Sequence, residues 1–329
     1  MGDPDEKTDQ MYEEALESAI EKGVNVIDSA INYRCQRSER SFGKRLAKMV
    51  QDGKVKREEL ILCTKGGFIP FDGSYPRDPG AYFKTTYLDP GILKPEDVAQ
   101  GCHSLSPRYL ETQLEKSLEN LGVETIDIYY LHNPETQLED IDRREFLDRM
   151  QAAFEWLEKK VSEGKIQMYG TATWNGYRVD PEAIDYLSLE DLMVTAREAG
   201  GPQHYFKVVQ LPVNLAMLEA WVFPNQVYGP NRVPFLRVAE KYDLVTIGSA
   251  SLLQARLAGD LPEFFTRNFE KLPKSSQKSL QLARSVPGMS VSLVGMRTKQ
   301  HVEENLEVVR VPPLSESELL LIFQKKSGE

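Results

Sequence analysis

The chain has 329 residues, 41% hydrophobic and 27% charged, the make-up of a globular protein long enough for two domains or for one large α/β barrel. A net charge of -10 and a pI near 5.2 argue against nucleic acid or an anionic membrane surface as its partner. No apolar run approaches the roughly 18–20 residues of a membrane span, and the acidic start (Met1 to Glu6) is unlike a secretory signal. Cys35, Cys63 and Cys102 show no CxxC spacing, which points to reduced thiols in a cytoplasmic setting and to no metal site.

The elements alternate. Residues 8–21 place Met11, Ala15, Leu16 and Ile20 on one helical face, ended by Gly23. Val24 to Ile27 reads as a strand buried on both faces, broken by Asp28. Further strands are expected at 59–65, 126–132, 166–173, 206–211, 244–248 and 291–295. Helices are expected at 38–50, 107–121, 149–162, around 181–199, and at 232–242, 275–285, 299–308 and 315–324. Strict β/α alternation with short turns means a parallel sheet, either open and doubly wound or closed into a barrel.

Polar residues decide between these two folds. Asp28, Lys65, His132, Gln210 and Ser249 each fall at or just past the C-terminal end of a different strand. In a (β/α)8 barrel those ends converge on one face, whereas an open sheet normally carries a glycine-rich phosphate loop, and none follows a strand here. The expectation is therefore a single barrel domain over residues 1–329. In it Lys65 and Asp28 would stabilise each other's charge, and the cation would lower the pKa of Tyr33 so that it can give and take a proton. His132 would hydrogen-bond a substrate oxygen from the other side. Such a site polarises a carbonyl but needs a cofactor to supply hydride.

At these residues the chain resembles the aldo-keto reductase family. The match runs from Gly23-Val24-Asn25-Val26-Ile27-Asp28-Ser29-Ala30-Ile31-Asn32-Tyr33 through Thr64-Lys65, Ser117 to Gly122, Ile126 to His132, Gly164-Lys165-Ile166, Val209-Gln210 with Asn214, and Gly295-Met296-Arg297 with Glu304-Asn305. The resemblance implies a (β/α)8 barrel and a catalytic tetrad of Asp28, Tyr33, Lys65 and His132. It further implies reduction of an aldehyde or ketone by NADP(H), with NAD as the alternative cofactor, or the reverse oxidation of an alcohol or sugar. Thr173 and Gln210 would face the nicotinamide amide, and Gly295, Arg297, His301, Glu304 and Asn305 the adenosine half. Arg297 at a helix start suits phosphate and favours NADP.

Three departures from the family pattern stand out. A Ser-Asn that holds the nicotinamide amide is Ala172-Thr173 here, and a Tyr-Ser-Pro-Leu with a stacking ring is Ala250-Ser251-Leu252-Leu253, leaving Trp174, Trp221 or Tyr205 as substitutes. The family's first strand would lie upstream of residue 24 and is missing, so a shortened chain is expected, or else a barrel patched in a way the sequence does not show. The weakened nicotinamide positions also raise a second reading, a nucleotide-binding regulatory or redox-sensor subunit with little turnover.

Residues 66–106 separate a strand from its helix and contain Phe68, Phe71, Tyr75, Tyr82, Phe83, Tyr87 and five prolines, too aromatic for a disordered linker. This segment is expected to lie over the catalytic pocket as a substrate-side lid, with residues 215–232 as a second wall. His103 and His204 are expected to be exposed or locally bonded. Asp127 is expected to pair near the barrel bottom, and the Lys54-Lys56-Arg57 and Arg143-Arg144 charges to be solvated.

Overall fold

A computed structural model describes residues 2–324. Strands β1 (Val26–Asp28), β2 (Ile61–Gly66), β3 (Ile126–His132), β4 (Ile166–Ala172) and β5 (Phe206–Pro212) lie side by side and parallel. A small antiparallel hairpin, β6 (Gln226–Tyr228) and β7 (Asn231–Val233), stands apart. The sheet then continues through β8 (Val245–Ser249) and β9 (Val291–Ser292), in the order β1-β2-β3-β4-β5-β8-β9.

Side chains alternate across each strand. Cys63, Ile128, Tyr130, Ala172, Val208 and Ile247 form an inner core with Val26, Met168, Val291 and Leu293. Tyr129, Leu131, Tyr169, Val209 and Leu211 pack outward among the helices. The curled sheet is a (β/α)8 barrel lacking one strand, with β1 and β9 as its two edges. Outside the gap the helical layer is continuous: Ala15 and Ala19 of helix Glu6–Glu21 pack on Val302 of helix Lys299–Leu306.

Several expected boundaries move. The helix expected at 149 starts at Arg143, where Asp142 caps it by accepting from the Glu145 N–H at 2.9 Å. Ser188 caps Leu189–Gly200, so the residues before it are not part of that helix. Residues 231–233 form β7 and the following helix shortens to Phe235–Lys241. The last strand covers two residues, Val291–Ser292, at one edge of the sheet.

At the N-terminal rim Asp127 accepts from Arg57 at 2.6 Å, from the Leu62 N–H at 2.8 Å and from Gln167 at 2.7 Å. Arg57 is thus a rim ion pair rather than a solvated charge. Arg143 likewise donates to the Tyr186 carbonyl at 2.7 Å. The segment after β2 carries a helix, Pro79–Phe83, and its own apolar cluster, in which Tyr87 and Leu93 pack with Tyr109 of the helix Pro107–Leu121. No described helix is long and apolar enough to cross a membrane.

Candidate active site

Register sets the first pair. Asp28 lies opposite Cys63, and the alternation of β2 brings Lys65 inward one step further along the strand. Lys65 Nζ donates to Asp28 Oδ1 at 2.5 Å and to the Ser29 carbonyl at 2.7 Å, and its side chain is 1% exposed. Gln210 Nε2, from across the barrel on β5, donates to the other carboxylate oxygen at 2.9 Å. Burial works against the ammonium, but the Asp28 charge and hydrogen bond, together with Tyr33, outweigh it and hold the Lys65 pKa above its ordinary value.

Tyr33 sits in the loop that follows β1, where the Tyr33 N–H bonds the Ala30 carbonyl at 3.0 Å. Arg34, Cys35 and Gln36 follow with φ of 53°, 55° and 70°, a left-handed run that turns the chain into helix Arg37–Gln51. The Lys65 ammonium is 5.2 Å from the centre of the Tyr33 ring. The expected lowering of the Tyr33 pKa by this cation is not the net result. Burial raises the Tyr33 pKa and wins over Lys65, which pulls it down, while Asp28 adds to the rise. Tyr33 is therefore held in its protonated, hydrogen-donating form.

The His132 ring ends β3 and stands 5.8 Å from the Tyr33 ring and 5.0 Å from Phe68, edge-on to both. Burial, then Lys65 and His103, push its pKa well below the usual value, so the imidazole is neutral. Among the described residues its buried Nδ1 has no hydrogen-bond partner. Of the two states expected for His103, exposed or hydrogen-bonded, it is the bonded one, but fully buried and with partners distant in sequence: its Nε2 lies 2.7 Å from the His132 carbonyl and its Nδ1 2.8 Å from Gln137 Nε2. His204 is buried as well.

The residues assigned to a cofactor fall into two groups. Gln210 reaches Asp28 and Thr173 adjoins Gln210, with the Thr173 hydroxyl on the Gln210 carbonyl at 3.4 Å. Gly295, Arg297, His301, Glu304 and Asn305 lie beyond β9 and on helix Lys299–Leu306, which Thr298 caps at the His301 N–H. Arg297 and His301 are exposed, Asn305 is buried, and the Glu304 carboxylate is engaged by Lys274 and Gln300. Ala172 faces the interior beside His132 and Gln210 in neighbouring strands. Ala250 has φ of 52° and its carbonyl accepts from Asn214 at 3.0 Å. Of the three aromatic substitutes, Tyr205 precedes β5 at the opposite rim and Trp221 donates to Glu316. Trp174 directly follows Thr173 at the C-terminal end of β4.

Glu135 was not singled out from the sequence. Its Oε1 accepts from the backbone N–H of Trp174 at 2.6 Å, Asn175 at 3.1 Å and Gly176 at 3.3 Å, binding the loop after β3 to the loop after β4. An acid just past a buried strand end was the signal that identified Asp28, and it applies equally to Glu135.

Residues 2–187 match the model of the Aldo/keto reductase family. The chain is 23% identical over 233 residues to the NADPH-dependent D-xylose reductase of Candida boidinii, covering 59% of this chain and 61% of that protein. It is 28% identical over 182 residues to a D-threo-aldose 1-dehydrogenase from a Pseudomonas species, covering 55% and 49%. The matches thus span less than two thirds of these relatives' own length. Among solved structures, an aldo/keto reductase from Klebsiella pneumoniae in complex with NADP and acetate aligns with a TM-score of 0.60 at 20% identity, over 97% of this chain and 86% of that one, a likeness of fold. With a family model matched over more than half of its length, the chain belongs to the aldo/keto reductase family.

Proposed function

We propose that this protein reduces a small aldehyde, ketone or sugar-like carbonyl with NADP(H), or runs the reverse oxidation, and that Tyr33 transfers the proton. The observation that carries the reading is the nearly solvent-free Lys65, bonded to Asp28 and set 5.2 Å from the centre of the Tyr33 ring, with the His132 ring edge-on to that ring at 5.8 Å. A nicotinamide held near Thr173 and Gln210 would supply hydride chemistry. Burial keeps Tyr33 protonated until the substrate oxygen takes up negative charge. Lys65 then stabilises the phenolate left behind, and Asp28 keeps that ammonium in place. His132, uncharged, orients the carbonyl oxygen toward the hydroxyl.

The residues present fit such a cofactor. A Cβ added at Gly295 would meet nothing within 4 Å, leaving room for a close approach. Among the described residues no carboxylate lies within ion-pair distance of exposed Arg297, which stands just before a capped helix start. A guanidinium with no carboxylate partner among the described residues suits a phosphate, and if that is the 2′-phosphate it favours NADP over NAD. Thr173 and Gln210 would hold the amide end. Tyr33→Phe is expected to lower kcat about 100- to 10,000-fold while NADPH binding, followed by fluorescence, stays unchanged. Normal turnover by that variant would remove Tyr33 from the reaction.

One observation favours a second reading, a nucleotide-binding sensor. Ala172 and Ala250 give the nicotinamide ring no side-chain hydrogen bond and no stacking face. In that case NADPH binds tightly and a broad carbonyl panel shows no multiple turnover.

A further inference from the structure

The long segment after β2 leaves the barrel at Gly67 and returns at His103, and its ends are bonded to each other. The Ile69 N–H donates to the Cys102 carbonyl at 2.8 Å and the Ser104 N–H to the Gly67 carbonyl at 3.0 Å. His103 sits at this junction, between the His132 carbonyl and Gln137.

The direction of each hydrogen bond follows from a group further out. Arg149 Nη1 lies 2.6 Å from Gln137 Oε1. A guanidinium can only donate, so the opposite end of that amide is the NH2. His103 Nδ1 must then accept, its proton resides on Nε2, and that proton points at the His132 carbonyl. Arg149 is itself held by the Glu145 carboxylate at 2.7 Å and the Glu96 carbonyl at 2.9 Å. One fixed cation thus orders the chain from Arg149 to Gln137 to His103 to His132.

Two more features converge on the same bond. The Phe68 ring stands edge-on to His103 and to His132, 5.0 Å from each. Gly67 has φ of +139°, and a Cβ there would lie 2.7 Å from His103 Nε2 and 3.0 Å from the His132 oxygen. The His132 imidazole, by contrast, has no hydrogen bond of its own among the described residues, and its Nδ1 is an orphan. Its placement is left to the backbone and to ring packing.

We infer that His103 is a positioning residue: by holding the His132 carbonyl it sets where that imidazole stands against Tyr33, and it couples the 66–106 segment to the proton-transfer pair. The inference rests on the proposed roles of Tyr33 and His132, and its test separates the two. In the unaltered protein, nitrogen-15 NMR of the four histidines should show His103 as the Nε2–H tautomer, with exchange between tautomers appearing in Gln137→Leu. A Nδ1–H tautomer in the unaltered protein overturns the relay, whatever the activity. With NADPH and 4-nitrobenzaldehyde, His103→Phe should lower kcat about 10- to 100-fold. NADPH affinity should stay within about twofold. His103→Gln, whose amide can donate from a similar place, should recover most of the rate. Full activity in folded His103→Phe, or an equal loss in His103→Gln, overturns the positioning role. Should the unaltered protein reduce no carbonyl, the Tyr33 reading fails, and the tautomer measurement still decides the relay.

Discussion

Removing the Lys65 ammonium leaves the Asp28 carboxylate with Gln210 as its remaining side-chain partner, in a site almost closed to water. Breaking a buried pair from one side costs about 3–5 kcal/mol, because the surviving charge is uncompensated. Lys65→Met should show that loss in urea unfolding, and adding Asp28→Asn should give part of it back. A single-variant cost near or below about 1 kcal/mol would mean the pair behaves as an exposed one. His103 carries a pH dependence of defined sign. Burial lowers its pKa to about 4 from 6.5, so the unfolded chain takes up the proton first as pH falls. Its contribution is complete above about pH 6.5 and drains away toward pH 4, on the order of 3 kcal/mol. Unfolding free energies measured at pH 7, 6 and 5 should fall more steeply for the natural chain than for His103→Phe. Parallel slopes would refute a neutral, buried His103. Asp28 and Lys65 were legible because acid and base at strand ends have no other cheap partner. His103, Gln137 and Arg149 were not, since their chain of bonds joins three segments that share no periodic signal.

Secondary-structure elements were read best where packing and propensity agree. Helix Pro107–Leu121 has proline at its first turn, a serine cap and a glycine stop, and each boundary falls where the sequence puts it. The β6–β7 hairpin escaped notice because its strands are three residues each and its Gly229-Pro230 turn reads as plain loop. The segment at 66–106 was recognised as folded from its aromatic content, but its junction depended on Gly67, whose need for an open Cβ position appears only in three dimensions. Gly67→Ala and Gly101→Ala test this. Both glycines have positive φ, yet a Cβ at Gly101 meets nothing within 4 Å. Gly101→Ala should cost about 1 kcal/mol for its backbone alone. Gly67→Ala should cost about 2–3 kcal/mol and also lower kcat, because His103 and the His132 carbonyl must separate. Equal costs and equal rates would show the junction to be slack.

Across the whole molecule, β3 and β4 are flanked on both sides by parallel neighbours, while β1 and β9 are paired on one side. Amide exchange should therefore be slowest in Tyr129 to Leu131 and Tyr169 to Thr171 and fastest in Val26 to Asp28 and Val291 to Ser292. Uniform protection would contradict an open wall. The barrel class was readable from strand-end chemistry, whereas continuity of the helical layer across the gap depended on Ala15, Ala19 and Val302 meeting, residues far apart in sequence. The wall is a sheet open between β1 and β9, whose two sides are joined on the outside by Ala15, Ala19 and Val302 and backed by the doubly paired β3 and β4. One edge carries Asp28 and leads to Tyr33; the other leads to Gly295 and Arg297. A dinucleotide held by both edges would join on the inside what these side chains join on the outside, so its binding should slow amide exchange in β1 and β9 more than in β3 and β4.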